Sequence, residues 1–468
     1  MKKFLYKICI FALLLSLLAG CSVFTDFSDN SSDGKNNVST VPVTSGDIQI
    51  INQDALPLAN PDDELTTVLQ TFHTTSAAFY DATKPAAIRP KATQPKATQP
   101  KNSRNTGNSS TKPPSAVDLG NRIKISGLSS KNIDYTALIN YYSVTDRQKE
   151  IYYALVQGAR GFECIIALPE GTTGEDLQKA FAIMSYTCPD IFWVDGSYTF
   201  TTGSVVQATL TYKINGITIK KDSPQNDIDR AKSAAVSLTA SIKNRIDEIK
   251  LYDKMTKYDM EFAIHDWLSG NLSYDPSNTN ASNIYGAIFE KKAVCGGYSR
   301  AFQYILGLID IKSLFITGSG RGENHIWNAV LLDGDWYNVD VTWNNPQGKT
   351  KQIVHTYFNR TDTFINEDHK KSGNLPNPSI TCTATKYDYY KKSGTYITND
   401  AEFKSVMQSE IAAAKEANGF NIVEAEIAKS YFDAKNFADK LKIIDTGGLK
   451  DMSFISLKTT VIFIFKFK

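Results

Sequence analysis

The stretch ENHIWNAVLLDGDWYNVDVTW, residues 323–343, reads as two β-rich runs joined by Asp333-Gly334, a two-residue hairpin signal. If that dipeptide sets the register, Leu332 faces Asp335 and Trp327 faces Asp340. His325 and Trp327 point to one face of their strand, so Asp340 becomes the diagonal neighbour of His325. Diagonal neighbours lie roughly 7–8 Å apart at the backbone, within reach of an imidazole-to-carboxylate hydrogen bond. A slip of one residue would separate them, so the register carries the reading.

Upstream, AVCGGYSRAF occupies residues 293–302. After its two glycines, Tyr298, Ala301, Phe302, Ile305 and Leu308 fall at the spacing of one apolar helix face. Cys295 therefore belongs at or just before a helix N-terminus, where unpaired N–H groups and the positive end of the macrodipole favour a thiolate over a thiol. Gly296 and Gly297 are expected to let a substrate backbone come close. Cys295 reads as a nucleophile, His325 as its base and Asp340 as the group that orients the base. Singly, each has an ordinary alternative: a small buried thiol, a satisfied structural histidine, and an aspartate accepting hydrogen bonds in a turn. The shared face of His325 and Asp340 is what raises the combination above its parts.

The runs VCGGYSRAFQYILGLIDI and HIWNAVLLDGDWYNVDVTWNNP resemble the core domain of the transglutaminase-like superfamily in its bacterial, surface-protein form. The resemblance implies an α+β, papain-like fold, with a Cys at a helix start and a His and an Asp on adjacent strands of an antiparallel sheet. Carried over residue by residue, its catalytic positions are Cys295, His325 and Asp340. Outside the core, AIHDWLSGNLSYDPSN, NIYGAIFEKK, YTCPDIFWVDGSYTF, HTYFNRTDTFINEDH and TATKYDYYKKSGTYI are similar to flanking family segments, so the resemblance covers roughly residues 141–397. Its specificity is high over 291–346 and lower elsewhere. Where the family often has acidic residues after the Asp-Val-Thr-Trp run, this chain has Asn344 and Asn345, and no carboxylate-based recognition of a cation or amine is expected there.

The first residues read as a targeting signal: Lys2, Lys3 and Lys7, then an apolar run over 11–18, then Leu18-Ala19-Gly20-Cys21, which resembles a bacterial lipobox. Residues 1–20 are expected to be removed, with Cys21 diacylated and anchoring the chain outside the cell membrane. Residues 21–118 are polar, and residues 84–117 hold seven Lys or Arg, no acidic residue and a tandem KATQP. Such a segment buries too little apolar surface to offset chain entropy and reads as an extended tether, with a short helix at residues 65–80.

Folded structure is expected as an α+β domain over 119–254, the catalytic domain over 255–400, and a small helix-strand-helix-strand α/β unit over 401–468. The N-terminal domain includes a long amphipathic helix over 228–249, followed by a second helix over 256–268. In the C-terminal unit the second helix is placed near residues 429–440. The glycine run at 318–322 lacks the Lys-Ser/Thr of a phosphate loop and is read as a mobile loop before His325.

Of six cysteines, Cys9 leaves with the signal, Cys21 carries lipid and Cys295 is the nucleophile. Cys164, Cys188 and Cys382 remain; one bridge is possible and none is required. His265, His355 and His369 have no metal-ligand spacing with a Cys or a second His, so no zinc site is expected. Trp327, Trp336 and Trp343 are assigned to core packing rather than to an acyl-binding cleft. The Cys295 amide is expected to form half of an oxyanion hole.

A net charge of +2 argues against a nucleic-acid-binding protein. The expected activity is cysteine-dependent acyl transfer on amide bonds of a protein or peptide substrate, hydrolytic in preference to cross-linking, with no metal or organic cofactor. Two alternatives stand beside it: a protein-glutamine transglutaminase, and a non-catalytic binding module that keeps the triad but blocks it.

Overall fold

A computed structural model describes residues 133–202, 205–345 and 353–416, together with 49–52, 124, 128, 421–428, 430–431, 449–456 and 459–467. The signal, Cys21, the tandem repeat and the helix expected at 65–80 lie outside the described residues, as does the helix expected near 429–440 apart from residues 430–431, which form a turn. Among the described residues, no helix is long and apolar enough to cross a membrane.

Two helices, α1 (Asp146–Gly161) and α2 (Gly174–Thr187), pack on a mainly antiparallel sheet. Its strands are β1 (Gln49–Asn52), β2 (Ile165–Ala167), β3 (Val194–Thr201), β4 (Gln207–Ile214) and β5 (Ile217–Ile219), in the order β1-β3-β4-β2 with β5 on β4. Within the span read as a tether, residues 49–52 instead pair with β3. QIIN holds two β-branched residues, suited to completing an open strand edge. Both helices start at capping boxes, Thr145 with Gln148 and Thr173 with Asp176, which satisfy two orphan N–H groups at each start.

The long helix α3 (Gln225–Ile246) links the first layer to the second. Ala231 and Ala235 lie in the core beneath α1 and α2, while Ile242 and Ile246 lie in a second core with Tyr258, Leu268, Phe302 and Ile305. Helix α4 (Lys257–Asn271) begins at a third capping box, Thr256 with Asp259. After short parallel strands β6 (Ser273–Tyr274) and β7 (Lys292–Ala293), helix α5 (Cys295–Leu308) packs against a four-stranded antiparallel sheet. That sheet orders β10 (Asp335–Val339), β9 (Glu323–Leu332), β8 (Ser313–Gly320) and β11 (His369–Lys371).

Asp333 and Gly334 form the tight turn the dipeptide predicts, with φ of 50° and 94°, and Leu332 pairs with Asp335. The glycine run is not a loop. Gly318 to Gly320 are the end of β8, and Arg321 and Gly322, with φ of 49° and 92°, form a second two-residue turn into β9. The missing side chains serve close packing: a Cβ on Gly318 would lie 2.1 Å from the Lys370 carbonyl oxygen, and one on Gly320 would lie 2.5 Å from the Trp343 ring.

The C-terminal part holds helix α6 (Asp400–Glu416) and a sheet of order β12-β13-β15-β14, from Tyr396–Ile397, Asn421–Ala428, Thr460–Phe467 and Leu449–Ser456. The strand at 449–456 has no counterpart in the sequence reading. Strand β13 alternates: Val423, Ala425 and Ile427 are apolar, while Glu424 and Glu426 meet His355 and Arg360 of the preceding region.

Candidate active site

Cys295 is the first residue of α5 and is partly exposed, whereas Cys164, Cys188 and Cys382 are buried free thiols. Burial pushes the Cys188 and Cys382 thiols up to about 12, leaving them as neutral, inert side chains. The space at Gly297 is filled by the chain itself and not left for a substrate: a Cβ there would lie 2.1 Å from the Ala281 carbonyl oxygen. Val294 N–H donates to that same oxygen at 3.0 Å, and Arg300 holds the Ser282 carbonyl at 2.7 Å. The loop before the helix is thus fastened to the turn that presents Cys295.

His325 and Asp340 meet as the hairpin register requires. Val339 pairs with Asn328, which puts Asp340 at the level of Trp327, and His325 Nε2 lies 2.6 Å from Asp340 Oδ2. Asp340 occupies Nε2, and Cys295 is near enough to add to the charge-stabilising surroundings of the ring. Burial opposes charge on His325, but the Asp340 carboxylate and the hydrogen bonds to Asp340 and Cys295 outweigh it and push the imidazole up to about 10. Burial likewise opposes charge on Asp340, yet His325 and His369 hold it well below the usual carboxylate range. Its Oδ1 accepts from the backbone N–H groups of Thr342 and Trp343 at 2.9 and 3.1 Å. One carboxylate oxygen thus serves the turn and the other meets His325.

Sequence spacing did not anticipate what surrounds the pair. His369, on β11, donates to Asp340 Oδ2 across 3.1 Å, and its Nδ1 lies 2.7 Å from Asp368 Oδ1. Trp343 stacks on His325 with ring centres 4.8 Å apart and closes on His369 at 4.3 Å. Trp327 is fully buried behind them, its Nε1 donating to Asn338. The alternating glycines of β8 were the available signal, because a strand stripped of side chains at Gly318 and Gly320 leaves room on the face that His325 shares.

A second polar cluster lies behind the first. Asp266 Oδ1 takes His265 Nδ1 at 2.9 Å and His355 Nε2 at 3.0 Å, with donor atoms close enough together to hold a metal ion. Asn344 decides its chemistry. Its Oδ1 accepts from the Tyr357 N–H, so its amide donates to His265 Nε2 and fixes the His265 proton on Nδ1, the atom that would face an ion. The group fits a hydrogen-bonded network better than a metal centre. Asn345 donates to the Leu272 carbonyl and the Tyr298 hydroxyl, so both asparagines are structural here.

A partly exposed thiol at the start of a helix packed on an antiparallel sheet, with a hydrogen-bonded His325–Asp340 pair, is an arrangement consistent with an α+β, papain-like fold. Residues 247–341 match the profile of the transglutaminase-like superfamily, so the chain carries a transglutaminase-like core; that superfamily generally includes cysteine peptidases and acyltransferases. Kyphoscoliosis peptidase of Homo sapiens is 24% identical over 183 residues, covering 33% of this chain and 28% of that protein. The Mus musculus protein of the same name is 21% identical over 192 residues, covering 36% and 29%. The chain thus spans less than a third of the length of these relatives. Among solved structures, a TGase aligns at 13% identity with a TM-score of 0.24, covering 41% of this chain and 57% of that one. Calcium-bound Legionella pneumophila LapG aligns at 11% identity with a TM-score of 0.21, covering 32% and 81%.

Proposed function

We propose that the chain is a cysteine acyl-transfer enzyme acting on amide bonds of protein or peptide substrates. The observation that carries this is the buried His325 and Asp340 pair beside the partly exposed Cys295 at a helix start. Cys295 Sγ gives its proton to His325 and attacks the amide carbonyl, forming the C–S bond. His325 returns the proton to the leaving nitrogen as the C–N bond breaks, leaving a thioester. The negative charge on the tetrahedral oxygen is met by the Cys295 backbone N–H at the open start of α5. Water, deprotonated by His325, then attacks the thioester carbonyl; the C–S bond breaks, the acid leaves and the proton returns from His325 to Cys295 Sγ.

Hydrolysis is the outcome we favour over transfer to an amine, and the peptidase-named relatives support it. The test is incubation with a protein substrate and a fluorescent amine, using Cys295→Ala as the blank. Cleavage without amine incorporation is expected; incorporation without cleavage would replace the hydrolase with a cross-linking enzyme. We also propose that the chain is lipid-anchored outside the membrane through Cys21, on the strength of Leu18-Ala19-Gly20-Cys21. Fatty-acid labelling that survives in a Cys21→Ala chain would overturn this.

A further inference from the structure

We infer that His369 is a positioning residue of this site, sharing the Asp340 carboxylate with His325 and moderating its pull on the His325 proton. The inference rests on the proposed function, because it concerns how that site is tuned.

Three observations carry it. Asp340 Oδ2 faces two imidazoles at once, His325 Nε2 at 2.6 Å and His369 Nε2 at 3.1 Å, while Oδ1 is taken by backbone N–H groups. His369 is itself held from behind: its Nδ1 meets Asp368 Oδ1 at 2.7 Å, and Asp368 Oδ2 accepts from the Tyr357 hydroxyl at 2.6 Å and lies 3.6 Å from Arg321. Arg321 in turn lies over Trp343, whose ring packs on both histidines. The backbone is also shaped for this. Strand β11, three residues long, pairs His369 with Gly320, and Gly318 has no Cβ to strike the Lys370 carbonyl.

The consequence is chemical. A carboxylate whose oxygen is divided between two donors holds each less tightly than one with a single partner. Asp340 alone would bind the His325 proton so firmly that the imidazolium would be a poor acid toward the leaving nitrogen. His369 takes up part of that charge, and Asp368, Tyr357 and Arg321 fix its ring in place. The titratable and charged groups around the pair are Cys295, Asp340, His369, Asp368, Tyr357 and Arg321.

The test is the pH profile of Cys295 alkylation by iodoacetamide in the full chain, read by peptide mapping. For His369→Leu the alkaline limb should move upward by about half a pH unit or more, and peptide-bond turnover should fall at least tenfold. His369→Gln keeps a donor toward Asp340 and should recover part of both losses, which a merely structural role would not do. If His369→Leu does not fold, Tyr357→Phe and Asp368→Asn carry the same readout, each with a smaller upward shift. A folded His369→Leu chain with the wild-type profile overturns the inference, as do wild-type profiles in both outer variants. Slow wild-type alkylation following an ordinary thiol curve would instead sink the proposed function, and this inference with it.

Discussion

His325 Nε2 lies 2.6 Å from Asp340 Oδ2 inside the protein, and the same carboxylate caps the following turn through Oδ1. Asp340→Asn separates these two duties. The asparagine oxygen can keep the cap on Thr342 and Trp343, while its amide donates to His325 Nε2 and forces the ring proton onto Nδ1. The turn should persist with a melting temperature lowered by loss of the buried charge pair, while turnover should drop by roughly a hundredfold to ten-thousandfold, the usual range for loss of acid–base assistance. Turnover near the wild-type rate in a folded variant would mean that Asp340 acts only as a turn residue.

Cys295→Ala should abolish thioester formation without unfolding the chain, since the thiol is partly exposed and its loop is fastened by Arg300 and Val294. Residual acyl-enzyme detected by mass spectrometry in that variant would move the nucleophile elsewhere.

Glu261 makes a prediction about pH. Its Oε2 accepts from Asn359 Nδ2 at 2.9 Å, while Glu261 Oε1 and Asn359 Oδ1 are buried without partners. Burial pushes the carboxyl from 4.5 up to about 8, so at neutral pH it holds the proton that can serve those lone oxygens. The folded value lies above the unfolded one, so this stabilisation is complete below 4.5 and is lost as pH rises through about 8. Glu261→Gln should flatten that part of the stability curve and raise the melting temperature at pH 8. An unchanged slope of melting temperature against pH would count against a buried neutral Glu261.

The hairpin was legible because two local signals agreed, a tight-turn dipeptide and a period-two pattern, and together they placed Asp340 beside His325. Cys295 was legible from the helix face that follows it. His369 was not, because its relation to Asp340 runs through the pairing of β11 with β8, a contact between segments 49 residues apart (369 − 320) with no shared turn to set the register. The same reason hid His355, whose partners Asp266 and Glu424 stand 89 and 69 residues away in sequence. The glycine run misled in the opposite direction: glycine signals a loop by composition, but here two of the glycines make room in a strand and the last shapes a turn.

Gly318→Ala tests that last point. The added Cβ would meet the Lys370 carbonyl at 2.1 Å, which only a shift of β11 can relieve, at a cost of about 1–3 kcal/mol. Because β11 carries His369, alkylation of Cys295 should change its pH profile along with the stability. A variant that melts lower but keeps the wild-type profile would separate the strand from the site.

Strand β13 supplies the remaining prediction. Glu424 meets His355 at 3.0 Å and Glu426 meets Arg360 at 2.8 Å, all four residues buried. Burial opposes the charge on His355, but Glu424 and Asp266 outweigh it and push the ring up to about 10; Arg360 is likewise held charged by Glu426 and Asp388. Removing one acid leaves a buried cation short of a partner, which typically costs about 3–5 kcal/mol. Here Asp266 and Asp388 remain, so Glu424→Ala and Glu426→Ala should each fall near the lower end of that range in chemical denaturation. A chain truncated near Asp400 loses both acids together and should lack a cooperative transition. A soluble, active product ending there would instead mean that β13 decorates a core that is complete without it.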